Sequence, residues 1–165
     1  MIPSVNTDLY IGGSWTAAAD KYTTHNPATG EVLTDLASAG PAEVDAAVRT
    51  ADDAFRGAWG ALPPSQKALL MHRLADLVER DAETLGRLES VDMGRPYGMS
   101  VQLMVPNLVG TLRYYAGWAD KINGEQITTD GYLGSPIPTH SYTLREPLGV
   151  VAAIVPWNAP LMILG

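Results

Sequence analysis

Cysteine is missing from all 165 residues of the sequence. Disulfides, thiolate metal sites and cysteine nucleophiles are therefore excluded from this stretch of chain. The three histidines, His25, His72 and His140, lie far apart, and none has a partner at the spacing of metal ligands. We therefore expect no metal site here, and the lack of disulfides favours a cytoplasmic location.

Positive charge is also scarce, with 11 Lys and Arg residues against 18 Asp and Glu residues and a formal net charge of −7. Binding to a nucleic-acid backbone or to anionic lipid needs clustered basic side chains, so neither partner is expected. The apolar run Val150 to Val155 is far too short to span a bilayer. Residues Met1 to Asp8 show no signal-peptide pattern.

The phosphate-binding patterns G-x-G-x-x-G and the P-loop are absent, and so is the G-x-S-x-G elbow of serine hydrolases. What the sequence does contain is typical of a globular protein: 46% apolar and 18% charged residues. Sixteen glycines and 12 prolines predict many turns. The length suffices for one domain with a sizeable core.

The first two thirds of the chain predict two hairpins followed by helices. Strands are expected around the turns at Gly12-Gly13 and at residues 26–30. After the hairpins, apolar residues at helical spacing predict a series of helices. One begins at Pro41, one is capped by Ser65, one runs from a cap at Asp81 to Gly94, and one covers residues 99–122. Pro106 lies inside the last helix and predicts a late start or a kink.

The pattern changes in the last third. Residues 126–129 and 141–145 predict two polar strands, a hairpin too weak to be stable unless it docks on another surface. The continuous apolar run Val150 to Val155 predicts a strand buried on both faces, as in a parallel sheet. Because such a sheet needs further strands and crossover helices, we expect this sequence to be the front of a larger α/β protein.

Two segments are candidates for chemistry. In residues 113–121, the spacing favours packing in a core over a binding site, with Tyr115 on the apolar stripe of its helix. Tyr114 and Trp118 are one helical turn apart, where they would cover a partner surface. Asn158 follows the predicted buried strand, at the strand end where α/β sheets bind ligands. Its amide is able to donate to a developing oxyanion. The alternative is a turn asparagine that bonds its own backbone, and the sequence leaves both interpretations open.

The order and spacing of these segments resemble the aldehyde dehydrogenase superfamily. The resemblance rests on RYYAGWADKI at residues 113–122 and REPLGVVAAIVPWNAPL at residues 145–161, preceded by LYIGGSW, NPATGEVL and DMGRP. It covers essentially all 165 residues, which correspond to about the first third of such an enzyme.

The resemblance implies an α/β fold whose N-terminal part holds β-hairpins, a helical layer, an oligomerisation hairpin and the first buried strand of a Rossmann-like sheet. Residues 1–125 would be the first part of the cofactor-binding domain, residues 126–146 the oligomerisation hairpin, and residues 147–165 the start of the nucleotide-binding core. The catalytic domain would be absent from this chain. A homo-oligomer, dimer or tetramer, would form through the 126–146 hairpin.

The resemblance also implies a reaction, the oxidation of an aldehyde to a carboxylic acid with NAD or NADP. A thiolate attacks the aldehyde, hydride leaves to the nicotinamide, and a glutamate-activated water releases the acid. Asn158 would be the oxyanion donor of the PWN motif. The residues expected to line the cofactor are Ile154, Val155, Pro156 and Trp157.

Ala159 departs from the family pattern, which often has an aromatic residue there, and a small side chain would widen the aldehyde tunnel. Asn107 and Met162 would be its neighbours in that tunnel. The reactive cysteine and the general-base glutamate are missing, so we expect the 165 residues alone to be inactive. The alternatives are a non-catalytic interaction module and a relative that passes the acyl group to coenzyme A. The aldehyde, the choice of NAD or NADP and the oligomer size are left open.

Overall fold

Two antiparallel hairpins form the start of the chain in the computed structural model, which describes residues 5–165. Residues 1–4, part of the stretch without a signal-peptide pattern, lie outside the described residues. Strands β1 (Leu9–Ile11) and β2 (Ser14–Thr16) pair around Gly12-Gly13, and β3 (Asp20–His25) pairs with β4 (Val32–Ser38). Both glycines have positive φ, 61° and 82°, which confirms the predicted turn.

A helical layer follows the hairpins. Its helices are α1 (Pro41–Arg56), α2 (Pro64–Arg80), α3 (Ala82–Met93), the single turn α4 (Tyr97–Met99) and α5 (Val105–Ala116), with a π-helical segment Ser100–Met104 before α5. Ser65 does not cap α2, contrary to the prediction. The cap position is Pro63, whose carbonyl accepts the backbone N–H groups of Gln66 and Lys67, and Ser65 lies in the first turn.

The predicted long helix over residues 99–122 is divided and shorter. The π-helical turn ends two residues before Pro106, which has no N–H to donate and whose ring crowds the preceding turn. α5 then ends at Ala116, before Ile122, because the backbone tightens into turns. The N–H of Trp118 donates to the Tyr115 carbonyl at 3.0 Å.

The core lies where α2 and α5 pack against each other. Ala75, Val105 and Val109 are buried there, and Leu85, Leu112 and Leu161 are among the residues that surround them. The small Ala75 side chain allows the two helices to approach closely. The helical spacing predicts an apolar stripe of Leu70, Leu74, Leu77 and Val78 on α2. Val78 packs against the core beside Ala75 as predicted, whereas Leu70, Leu74 and Leu77 are exposed by 40–49%.

The aromatic segment at the end of α5 is also less buried than its spacing predicts. Tyr114, Tyr115 and Trp118 are all about half exposed, whereas Ala116 is buried. The expected packing of Tyr115 in a core is therefore wrong for the described residues, whereas Tyr114 and Trp118 are open, as side chains that cover a partner surface would be. The Tyr114 ring instead contacts both others, with its centroid 5.2 Å from that of Tyr115 and 6.3 Å from that of Trp118.

The last third of the chain has little regular structure. β5 (Gln126–Ile127) and β6 (Ser141–Tyr142) form the predicted hairpin with shorter strands, and α6 (Pro160–Leu164) comes at the end. Within residues 5–165, Val150 to Val155 pairs with no strand. The expected burial on both faces is not found, since Ile154 is 97% exposed. A parallel strand needs hydrogen-bonded neighbours, and the described residues supply none.

Candidate functional site

The end of α3 fixes the backbone of the DMGRP motif. Gly94 has a left-handed φ of +79°, and its N–H donates to the Ser90 carbonyl at 3.0 Å. A Cβ atom on Gly94 would lie 2.9 Å from Cγ of Pro27, so both conformation and space require glycine. The Ser90 hydroxyl donates to the Arg95 carbonyl at 2.6 Å. The main chain at Arg95 is therefore anchored to α3.

The Arg95 side chain joins α3 to the segment that carries Asn158. Its side chain is 12% exposed and that of Glu89 only 1%, and Nη1 of Arg95 lies 3.8 Å from Oε2 of Glu89. At that distance the two side chains form an ion pair, but the atoms are too far apart for a hydrogen bond. Nη2 of Arg95 donates to the main-chain carbonyl of Asn158. One guanidinium thus contacts two segments that are far apart in the sequence.

Tyr97 anchors the other side of the motif. Its hydroxyl donates to Oε2 of Glu83 at 2.6 Å, and this hydrogen bond raises the pKa of Tyr97 above its usual value. The guanidinium of Arg87 lies 5.6 Å from the centre of the Tyr97 ring. Both contacts hold α4 against α3, so the chain is fixed on both sides of Arg95.

Asn158 lies in an exposed turn before α6. Among the hydrogen bonds within residues 5–165, none uses its side-chain amide, whereas Oδ1 of Asn26 accepts the N–H of Ala28 at 2.9 Å in an ordinary asparagine turn. The alternative of a turn asparagine bonded to its own backbone is therefore not observed. The amide of Asn158 is free to meet a ligand.

The expected cofactor-lining residues directly precede Asn158. Ile154 and Trp157 are 97% and 77% exposed, Pro156 is exposed, and Val155 is half-buried. All four side chains are apolar, and three of them are open to solvent next to the free amide in the chain. Apolar side chains next to a few polar groups are the usual lining of a ligand site.

Two expected tunnel residues lie on helices in contact, Asn107 on α5 and Met162 on α6, and Ala159 directly precedes α6. Leu161 of α6 packs against the core residues Val105 and Val109 of α5. Asn107 is exposed and Met162 half-buried, while Ala159 is only 5% exposed. An open groove of about 530 Å³ runs along α5, lined by Pro106, Asn107, Gly110, Thr111, Tyr114 and Tyr115. Of the three expected tunnel residues, the groove includes only Asn107.

Sequence reasoning missed Glu89 and Arg95. Glu89 follows Leu85 by one helical turn, so an acidic residue on the apolar face of α3 was the available signal. The Glu89 side chain also borders an apolar cavity of about 290 Å³ between β3, β4, α3 and α6. Within residues 5–165, no group of three or more acidic, histidine or cysteine side chains is placed to hold a metal ion. None of the helices described there is long and apolar enough to cross a membrane.

The sequence profile described as "Aldehyde dehydrogenase family" matches residues 15–165. The mitochondrial aldehyde dehydrogenase of Rattus norvegicus is 42% identical over 158 residues, which are 93% of this chain and 29% of the relative. The mitochondrial benzaldehyde dehydrogenase of Antirrhinum majus is 41% identical over 95% of this chain and 29% of its own length. The chain thus spans about a third of the length of the relatives it matches.

Solved structures agree with the sequence comparison. The P. syringae indole-3-acetaldehyde dehydrogenase mutant in complex with NAD+ superposes with a TM-score of 0.88 at 36% identity, over 98% of this chain and 32% of that one. The NAD+ complex of the Bacillus cereus aldehyde dehydrogenase gives 0.87 at 37% identity, over 97% and 32%. The chain belongs to the aldehyde dehydrogenase family, and its fold is the N-terminal α/β portion of that family's fold.

Proposed function

We propose that the protein carrying this segment is an NAD-dependent aldehyde dehydrogenase that oxidises a small-molecule aldehyde to a carboxylic acid. The observation that carries the proposal is the free Asn158 amide, on an exposed turn beside an apolar surface, in a chain of this family. NAD+ complexes among the similar structures favour NAD over NADP. None of the relatives reported above supports the coenzyme A alternative.

Asn158 would act on the charge that develops during the reaction. When a nucleophile adds to the aldehyde carbonyl, negative charge moves onto the carbonyl oxygen, and a fixed N–H donor stabilises that charge more than it stabilises the neutral aldehyde. The amide of Asn158 is such a donor, and within residues 5–165 no internal hydrogen bond competes for it. The nucleophilic thiolate must come from outside these residues, since they include no cysteine.

Ile154, Val155, Pro156 and Trp157 would line the cofactor. NAD supplies the acceptor for the hydride when it is bound. The exposed apolar surface of these residues fits the flat nicotinamide ring in kind, since it contains no charged side chain and adjoins the Asn158 donor. The phosphates need another cradle, because the 165 residues contain no glycine-rich phosphate motif.

The remaining roles are proposed on the same basis. Asn107, Ala159 and Met162 would border the aldehyde tunnel, and the 126–146 hairpin would join subunits into a homo-oligomer. Tyr142 and Ile137 are 66% and 58% exposed, and a two-stranded hairpin of this size needs such side chains covered to be stable. The domain boundaries after residues 125 and 146 and the cytoplasmic location stay predictions.

The experiment that tests the proposal is Asn158→Ala in the full-length protein. We expect the single-turnover rate of NADH formation to fall about 10²- to 10³-fold, as when other oxyanion donors are removed. The Kd for NAD should stay the same. Asn123→Ala, at an exposed asparagine outside the site, is the matched control. A loss no larger than that of the control would contradict the oxyanion role, and no turnover of any aldehyde by the unaltered protein would contradict the function.

A further inference from the structure

We propose that Arg95 is a positioning residue for Asn158 and that Glu89 holds Arg95 in place for that task. The inference rests on the proposed oxyanion role of Asn158. The guanidinium of Arg95 holds the carbonyl of Asn158, and by fixing this carbonyl it fixes the turn from which the catalytic amide projects.

The contact is isolated, and this makes it informative. Within residues 5–165, the Arg95 bond to Asn158 is the only hydrogen bond between residues 147–159 and any residue before them. Asn158 itself is exposed, and so are its neighbours Trp157 and Pro156. Packing therefore does little to hold the turn on the N-terminal side of Asn158, whereas Ala159 is buried on the other side. Within residues 5–165, Arg95 supplies the hydrogen bond that fixes the direction of the Asn158 carbonyl.

The Glu89 and Arg95 pair is poorly suited to a purely stabilising role. Oε1 and Oε2 of Glu89 and Nη1 of Arg95 are buried and have no hydrogen-bond partner within residues 5–165. Burying a carboxylate is costly, and at 3.8 Å the guanidinium offsets that cost without a hydrogen bond. Such a pair is better explained by orientation, because the attraction of Glu89 for Nη1 directs Nη2 toward Asn158.

The base of Arg95 is as restrained as its tip. The hydroxyl of Ser90 holds the Arg95 carbonyl, and Gly94 makes the left-handed turn that ends α3. A rigid support of this kind is what a functional side chain needs, since a misplacement of about 1 Å can cost a rate of the order of a hundredfold. Arg95 transmits the position of α3 to the turn that carries Asn158.

A double-mutant cycle in the full-length protein tests this role. The variants are Arg95→Met, Asn158→Ala and the two together, and the readouts are the single-turnover rate of NADH formation and the Kd for NAD. We expect Arg95→Met to lower the rate about tenfold to a hundredfold. In the Asn158→Ala background the same change should lower it by less than about twofold, because the amide that Arg95 positions is already gone. The Kd for NAD should not change.

Two further variants separate positioning from folding. Arg56→Met is the control, since Arg56 is an exposed arginine that pairs only locally with Asp52 at 2.7 Å. The variant Glu89→Gln/Arg95→Met removes the buried charge together with its partner, so no charged carboxylate is left buried. It should stay folded and be as slow as Arg95→Met. If Arg95→Met alone fails to fold, this variant takes its place in the cycle.

Each outcome decides the matter. If Arg95→Met and the compensated variant turn over like the unaltered protein while Asn158→Ala is slow, the positioning role is wrong and the proposed function stands. Equal losses in both backgrounds indicate a general structural role and also overturn the proposal. If Asn158→Ala is not slow, the oxyanion role and the positioning role fail together.

Discussion

Asn158 is the candidate site residue for which the sequence and the structure support the same interpretation. Its position after an apolar run and between two prolines marks it from the sequence as a candidate donor. The sequence leaves open whether the amide is used by its own turn. The structure shows no such bond within residues 5–165, and this supports the chemical interpretation.

The role of the Glu89 and Arg95 pair is not predictable from the sequence, for a physical reason. Glu89 and Arg95 are near each other in the sequence, but the carbonyl that Arg95 contacts belongs to Asn158, which lies 63 residues after Arg95. No local spacing encodes that distance. When a side chain acts through a contact to a distant main-chain atom, the residue that carries this atom needs no particular side chain. The sequence at that position therefore does not reveal the contact.

Ala159 carries the prediction on substrate size. Ala159→Phe should lower the turnover of bulky aldehydes relative to small ones, because the larger ring would narrow the proposed tunnel. One methylene in an apolar pocket changes discrimination by about 10- to 200-fold, so a ring should shift the ratio by at least about tenfold. The measurement is kcat/KM for a branched and a short linear aldehyde.

Because Ala159 is only 5% exposed, Phe must displace its neighbours, and Ala159→Val is the smaller step. Both variants should shift the ratio in the same direction, with Val shifting it less. An unchanged ratio in two folded variants would show that Ala159 does not border the aldehyde path.

At the scale of elements, the sequence predicted most of what local chemistry controls. The two glycines after Ile11, the proline at the start of α1 and Gly94 after α3 are found as predicted, because each acts through its own backbone. The buried face of α2 and the exposed run Val150 to Val155 were not predicted, because both depend on which neighbours cover them. Periodicity indicates that a face is apolar and does not identify its partner.

Gly86 tests how α3 packs on the π-helical segment. A Cβ atom there would lie 2.5 Å from Cγ2 of Val101 and 3.1 Å from its Cα and N. Gly86→Ala should therefore force the two elements apart, at a cost of about 1–3 kcal/mol. We expect faster amide hydrogen exchange in α3 of the full-length variant.

Gly98→Ala is the matched control in the neighbouring turn α4, where nothing lies within 4 Å of the added Cβ. It should leave exchange in α3 unchanged. Similar protection of α3 in the two variants would mean that the close approach of Val101 to Gly86 is not a real constraint.

At the scale of the whole molecule, the described residues bury little apolar surface for their number. The tightest cluster is three residues on α2 and α5, while many large apolar side chains are open, among them Leu133, Leu148 and Ile154 at 88%, 95% and 97% exposed. Exposed apolar surface on this scale marks surfaces that are covered by something else. The chain matches only about a third of the length of its relatives, which agrees with a need for further protein to cover these surfaces.

The 165 residues expressed alone should therefore not behave as a stable monomer. We expect a broad thermal transition, binding of a hydrophobic dye and association in light scattering, together with no NADH formation from any aldehyde, because no cysteine is present to act as nucleophile. The intact mass of the natural protein is the first measurement. A value several times 17.6 kDa would show that further residues of the same polypeptide cover these surfaces. A natural mass of 17.6 kDa, with a sharp cooperative melt of the monomer, would instead show that this small core suffices, and would favour the interaction module over the enzyme.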